Sequence, residues 1–485
     1  MKQTILKIKD QVNVKFDGLE PEDRRAISEA CRIFVQRARH MPSYKLHRWD
    51  GKIAFATIGG ATYINMLDRV LPMVIEAGYD IEIQDLRPAL TFSFPEITED
   101  FLAHKTWPEG HPVAGEPIML RDYQVEAVKR YLDNLQSIQC ISTGGGKTLI
   151  TAALSTLVEP YGRSIVIVPN KSLVEQTEED YVNLGLDVGV YYGDRKDWGK
   201  THTICTWQSL QAMSKKSKGS PKDDLSDFLN GVVCVMVDEV HSAKADVLKE
   251  LLTERMANIP IRWGMTGTIP KEEGDFMSIL VSLGPVVGEI SAAELQEKDV
   301  LAKCEVEILQ LQDEGEYSYY PDEYDYLVTN SNRLKFIAER CQEINKSGNT
   351  LILVDRIECG ETLRDLIGDR AVFISGKVKT KDRKKEYKEV QISDDKIIIA
   401  TYGVAAVGIN IPRIFNLVLV EAGKSFVRVI QSIGRGIRKA EDKDFVQIYD
   451  LTSSLKFSAK HLTERKKFYK EAKYPFKVTK VKYLR

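Results

Sequence analysis

The sequence predicts an α/β protein: two tandem parallel-sheet domains preceded by a small α+β accessory domain. Three observations carry that expectation. From about residue 116 onward, short β-branched apolar runs alternate with helical patterns: "SIVIVP" (164–169), "VVCVMV" (232–237), "TLILV" (350–354), "KIIIA" (396–400) and "NLVLV" (416–420). The runs are continuous rather than alternating, as in strands covered on both faces of a parallel sheet. Finally, an acidic, tyrosine-rich stretch at 311–325 separates two strand–helix series, and residues 1–115 have a different texture of shorter apolar runs. The expected boundaries are 1–115, 116–300, 301–455 and a basic extension, 456–485.

The helical segments "SLVEQTEEDYVNLG" (172–185) and "SNRLKFIAERCQEINKSG" (331–348) carry 3.6-residue spacing. The second is expected to open on Ser331 or Asn332 and to end at Gly348. Residues 214–223, "SKKSKGSPKD", read as a polar loop broken by Gly and Pro.

At 485 residues the chain exceeds one domain, and its 43% hydrophobic and 28% charged residues are those of an ordinary globular protein. No apolar run approaches the roughly 20 residues of a membrane span. The charged start "MKQTILKIKD" has no signal-peptide core, so a cytoplasmic protein is expected, in the host cytoplasm if phage-encoded. Seven scattered cysteines without a C-x-x-C pair argue for a reducing compartment and against a zinc or disulfide framework. The net charge of −2 decides nothing about nucleic acid, because local patches do.

The chemistry concentrates in "CISTGGGKTLI" (140–150). A glycine-rich turn between strand and helix can aim backbone N–H groups of Thr143, Gly144, Gly145 and Gly146 at phosphates. Lys147 then reaches the β/γ oxygens and the Thr148 hydroxyl ligates Mg²⁺, which makes ATP the expected nucleotide. The general pattern places a glycine where Ile141 stands, so a plain glycine turn remains the alternative. "VMVDEVHSA" (235–243) ends a buried strand on Asp238 and Glu239. Asp238 suits Mg²⁺ through water and Glu239 suits a base that polarises water; the alternative is an acidic helix cap. In "QSIGRGIRKA" (431–440), Gln431, Arg435 and Arg438 fall on one helix face, as a γ-phosphate in its transition state requires. A solvated basic face is the other reading.

Together these residues resemble superfamily 2 helicases and translocases. "LRDYQ" (120–124), "VPNKSLVEQ" (168–176), "TWQSL" (206–210), "GMTGT" (264–268), "LILVDRIECGETL" (351–363), "ATYGVAAVGINIP" (400–412) and "QSIGRGIRKA" follow in that family's order. The resemblance implies two RecA-like domains that close on ATP. It implies that Gln124 reads the base edge with Arg121 in support, and that Gly408 lies by the nucleotide. It places Asn170, Lys171, Thr206, Arg356, Thr401 and Gly403 on a nucleic-acid strand, although Asn170, Lys171 and Thr206 read equally well as caps and loop residues. Two departures stand out: the box is Asp-Glu-Val-His, which weakens an RNA-helicase reading, and Asn410 stands where many relatives carry Asp.

Between Arg32 and Lys52 lie Arg32, Arg37, Arg39, Lys45, Arg48 and Lys52 against one acid, Asp50, with Tyr44 and Trp49 interleaved. Such a mixture suggests a nucleic-acid surface, with Arg48, Trp49 and Lys52 as candidate DNA contacts. A β-turn at Asp50-Gly51 with Trp49 in a small core is the rival reading. The Trp-Asp-Gly-basic string and "LPMVIEAGYDIEI" (71–83) resemble the N-terminal domain of phage branch-migration helicases of the UvsW type. The basic tail "KHLTERKKFYKEAKYPFKVTKVKYLR" reads as a docking helix, through Phe468, Tyr469 and Ala472, or as a further DNA contact. The expected function is an ATP-dependent DNA helicase or translocase acting on single-stranded and branched duplex DNA, monomeric, alongside recombination or replication proteins. An RNA helicase, a restriction-complex motor subunit and a binding module with a vestigial ATP site are the rivals.

Overall fold

The computed structural model of the chain describes residues 2–109, 113–217, 224–242, 245–376, 393–408, 413–423 and 444–483. It divides into two compact units, Met1–Ile141 with Gly146–Glu289, and Ser142–Gly145 with Ile290–Arg485.

The first unit opens with strands β1 (Lys2–Ile8), β2 (Asn13–Asp17), β3 (Arg32–Phe34), β4 (Lys52–Ala54), β5 (Ala61–Tyr63) and β6 (Tyr79–Asp85). Four form a mixed sheet in the order β5-β2-β1-β6, while β3 and β4 make a separate antiparallel pair. Leu6, Val14, Phe16, Val70 and Val74 share one core with Met277 and Val281 from the helix Glu273–Leu283. The accessory sheet is therefore packed into the unit that carries it. Gln11 N–H donates to Ala257 O (3.0 Å) and Asn13 Nδ2 to Thr253 O (2.8 Å), which adds polar ties to the apolar ones.

Next come β7 (Gln136–Ile141), β8 (Arg163–Val168), β9 (Val188–Tyr192), β10 (Arg195–Asp197), β11 (His202–Thr206), β12 (Val232–Asp238), β13 (Ile261–Thr266) and β14 (Val286–Ile290). They form one sheet in the order β10-β9-β11-β8-β12-β13-β7-β14. Its central pairs are parallel, and their apolar runs are buried throughout, as strands covered on both faces must be. Trp263 is fully buried and donates Nε1–H to Tyr131 O (3.0 Å), while Tyr131 OH donates to Gly264 O (2.6 Å). That reciprocal pair locks the helix Asp122–Asp133 onto β13.

In the second unit, β15 (Lys303–Leu311), β16 (Thr350–Val354), β17 (Ala371–Ile374), β18 (Ile397–Thr401), β19 (Asn416–Val420), β20 (Phe445–Ser453) and β21 (Phe476–Val481) form a sheet in the order β17-β18-β16-β19-β20-β15-β21. The registered pairs are all parallel. The fold is thus two RecA-like α/β domains with an N-terminal mixed accessory domain.

Three local expectations shift. The helix Ser331–Asn345 is capped by Asn330, whose side chain accepts from Arg333 N–H, because that oxygen reaches the third residue of the helix. Residues 214–217 are not loop: they end the helix Trp207–Ser217, which carries on into the basic stretch. The basic tail joins the second sheet. The helix Lys456–Glu471 buries Phe468 and Tyr469, as the docking reading expects, and β21 then pairs with β15 from Val306↔Phe476 to Leu311↔Val481.

Candidate functional site

The C-terminal ends of β7, β8, β11, β12 and β13 lie along one edge of the first sheet, where an open parallel sheet presents its loops to a ligand. After Ile141 the chain turns through Gly144 (φ +88°) and Gly146 (φ +75°) before entering the helix Lys147–Val158. Both values need glycine. At Gly146 an added Cβ would also stand 2.3 Å from Gln124 Nε2, so the side chain of the helix-opening motif and the turn are built around each other.

Gln124 is 3% exposed and its Oε1 accepts from Arg121 N–H (2.9 Å), while Arg121 Nη1 donates to Tyr123 OH (3.2 Å). The pair thus caps the helix Asp122–Asp133. Lys147 Nζ lies 2.8 Å from Glu239 Oε1, an ion pair of two side chains only 11% and 14% exposed. Glu239 holds a left-handed backbone (φ +50°), uncommon for a residue with a Cβ and often found where function fixes a side chain. Its N–H donates to Asp238 Oδ1 (2.9 Å), so the two acids at the end of β12 are fixed against each other.

One residue of the box was given no role by its sequence. His241 Nδ1 is 2.6 Å from Thr266 Oγ1 and 3.5 Å from Glu239 Oε2. Thr266 Oγ1 in turn donates to Thr268 O (2.7 Å), so His241 links the acidic box to "GMTGT" at the end of β13. Burial pushes its imidazole below the ordinary histidine value, against the opposing pull of Glu239. The signal was present as two motifs ending neighbouring strands, but their adjacency appears only in the pairing of β12 with β13.

The residues assigned to a nucleic-acid strand also sit at strand ends. In the first unit, Val168 pairs with Thr206, which brings Asn170 and Thr206 to adjacent ends of β8 and β11. Both cap helices here: Asn170 Oδ1 accepts from Leu173 N–H, and Thr206 Oγ1 from Ser209 N–H. Lys171 is exposed and stands 5.5 Å over the Tyr192 ring. In the second unit, Val354 pairs with Thr401, which places Arg356 and Thr401 at adjacent ends of β16 and β18, with Gly403 exposed in the following helix. Gly408 ends that helix, Tyr402–Gly408. Asn410, Gln431, Arg435 and Arg438 lie outside the described residues.

In the accessory domain the turn is observed. Lys52 N–H donates to Asp50 Oδ1 (3.1 Å), Trp49 Nε1–H to Lys52 O (2.9 Å), and Gly51 (φ +78°) lies against the Phe34 and Tyr44 rings. Arg32 is ion-paired to Glu29 and Asp50, and Lys52 to Glu29, so part of the basic cluster is neutralised locally. Arg48 remains exposed.

The donor set fits a nucleoside triphosphate with Mg²⁺. A glycine turn that no Cβ could enter, a largely buried lysine, a hydroxyl at Thr148 and two strand-end carboxylates are what polyphosphate and its metal require.

Comparison with known proteins agrees. Residues 117–271 match the family described as "Type III restriction enzyme, res subunit", and residues 332–440 match "Helicase conserved C-terminal domain". The ATP-dependent DNA helicase uvsW of Enterobacteria phage T4 is 24% identical over 457 residues, covering 89% of this chain and 87% of that protein. Among solved structures, a fragment of a putative HsdR subunit of a type I restriction enzyme from Vibrio vulnificus aligns with a TM-score of 0.56 at 15% identity, over 92% of this chain and 83% of that one. Dbp5 of S. cerevisiae, bound to RNA and ADP BeF3, aligns with a TM-score of 0.52 at 15% identity, over 76% of this chain and 90% of that one. At that identity the structural likenesses speak to the fold. The family matches and the motif order give the chain a superfamily 2 helicase architecture, distantly related to UvsW-like branch-migration helicases. No described helix is long and apolar enough to cross a membrane.

Proposed function

We propose that this superfamily 2 ATP-dependent helicase or translocase works on branched DNA: forks, Holliday junctions, displacement loops and R-loops arising in phage-type replication, recombination and repair. The observation that carries the reading is the likeness to the T4 DNA helicase across 89% of the chain, more than residues 120–485 alone would fill, so that it extends into the accessory domain.

In this reading Lys147 leaves Glu239 for the β/γ oxygens of ATP, and Glu239, released, accepts a proton from the attacking water. Thr148 and Asp238 would hold Mg²⁺, which neutralises phosphate charge when bound. His241, held by Thr266, keeps the box and "GMTGT" in register, so that a change at one is felt at the other. Arg435 and Arg438 supply charge to the γ-phosphate, and the Gln431 amide supplies a hydrogen bond. Arg121, Gln124, the turn Thr143–Gly146 and Gly408 seat the nucleotide. The strand-end residues Asn170, Lys171, Thr206, Arg356, Thr401 and Gly403 meet the DNA backbone, and Arg48, Trp49 and Lys52 meet duplex near the branch.

ATP turnover measured side by side with single-stranded DNA, duplex DNA, a four-way junction and RNA tests the reading. The expected order has the junction and single strands ahead of RNA, and Arg48→Ala, at an exposed side chain of the accessory domain, is expected to weaken action on junctions selectively. Stimulation by RNA alone would contradict it. A restriction-complex motor subunit is the second reading, favoured by the family match over residues 117–271. It predicts translocation on unbranched duplex with no preference for junctions.

A further inference from the structure

Two helices of the second unit begin side by side. The Glu323 carboxylate, on the helix Tyr320–Thr329, accepts from Phe457 N–H (3.0 Å) and Ser458 N–H (2.7 Å), which open the helix Lys456–Glu471. A carboxylate there satisfies orphan N–H groups and complements the helix dipole. This junction gathers rings from both helices. The Tyr320 ring lies 5.5 Å from Tyr324, 6.0 Å from Phe457 and 4.9 Å from His461.

Cations stand over the same rings. Lys456 Nζ is 5.4 Å and Lys460 Nζ 6.0 Å from the Phe457 ring, and the Arg356 guanidinium is 5.1 Å from the Tyr324 ring. Tyr324 is buried and belongs to the core, but Tyr320 is 36% exposed, Tyr319 beside it is 70% exposed, and Phe457 is only half-buried. Lys456 and Lys460 are exposed. Asp325, at the margin, is paired to Arg356, and Asp322 is the exposed acid nearest Tyr320 in the chain.

We propose that this aromatic ridge is a binding surface for unpaired nucleic acid: bases stack on Tyr320 and Phe457, and Lys456, Lys460 and Arg356 pair with the phosphates between them. Flat rings with flanking cations match single strands, whose bases offer free π-faces at every step; a duplex hides those faces. An acidic peptide would match the cations but would bring no flat partner for the rings. The ridge is continuous with Arg356 at the end of β16, so a strand resting there would pass onto the C-terminal helix, to which no motif assigns a contact. The inference rests on the nucleic-acid reading above and adds residues 319–320 and 456–461 to it.

The test is binding of the intact chain to a fluorescent oligothymidylate, with oligouridylate as a parallel arm, followed by anisotropy across a salt series. Lys456→Gln/Lys460→Gln is expected to reduce the slope of log affinity against log salt by about 0.7 per lysine. Tyr320→Ala is expected to weaken binding about 5- to 100-fold, and Tyr320→Phe to retain it. Thermal melting reports on folding, and the two lysines, being exposed, test the surface even if Tyr320→Ala melts early. Unchanged slope and affinity in these variants, against a wild type that binds, would overturn the ridge and leave the helicase reading standing. A wild type that binds neither oligonucleotide would overturn the reading beneath it.

Discussion

The two parallel sheets share a plan but place their charges differently. At the edge of the first, Lys147 at a helix start and Asp238 and Glu239 at the end of a strand keep a small exposed fraction, in a cluster whose cation and carboxylate can each exchange partners with a ligand. In the second, two clusters among the described residues are sealed in. Arg465 donates Nε–H and Nη2–H to the two oxygens of Asp450 (2.8 and 2.9 Å) and Nη1–H to Gly423 O, and Tyr469 OH donates to the same carboxylate. Arg333, wholly buried, is held by Asp313, Glu421 and Leu327 O. A saturated network holds elements together; a partly exposed one is available for chemistry. The difference suits the turnover proposed for the first set, while the second set docks the C-terminal helix.

The largest effect that can break this contrast is Arg465→Met. It leaves Asp450 buried without its cation and is expected to destabilise the second unit by about 3–5 kcal/mol, read by denaturant unfolding. A stability change near zero would mean that the network does not hold the helix. Lys147→Met should do the opposite, reducing ATP turnover roughly 10²- to 10³-fold while thermal melting stays near the wild type.

A smaller effect concerns His202, fully buried between Glu159 and Ser164 in the first sheet. Burial lowers its affinity for a proton despite Glu159. A folded-state value below the unfolded one means that the unfolded chain binds more protons between the two. Stability is then full above about pH 6.5, the ordinary imidazole value, and falls as pH drops through the folded value. Urea midpoints across that range should show the decline in the wild type and a flatter profile in His202→Gln. The smallest effect is Trp49→Phe, which removes the bond to Lys52 O together with part of the indole's contact area and should lower stability by about 1 kcal/mol; no change in melting would detach Trp49 from the turn.

The sequence made the strands legible because continuous β-branched runs have few other uses, and "GGGKT" and "VDEVH" fell where strand ends put them. What it hid was pairing across distance. Nothing local says that Arg465 meets Asp450, or that residues 476–481 complete a sheet begun at Lys303; the exposed lysines of β21 read as a charged tail because an edge strand needs little apolar surface. Asn330 was missed as a cap because Ser331 and Asn332 beside it are equally capable residues. The acidic stretch at 311–325, read as a separator, starts in β15 and ends in the helix Tyr320–Thr329, where Asp313 and Glu323 are buried partners rather than linker charges. Asn170 and Thr206 show that a cap and a strand-end contact can occupy one position, which composition cannot distinguish.

The most direct test of the hydrolytic assignment is Glu239→Gln, measured for both ATP affinity and single-turnover hydrolysis. The account predicts affinity equal to or tighter than the wild type, since Lys147 no longer has a carboxylate to leave, with hydrolysis slowed about 10²- to 10⁴-fold. Turnover near the wild-type rate, or loss of ATP binding in place of turnover, would contradict it.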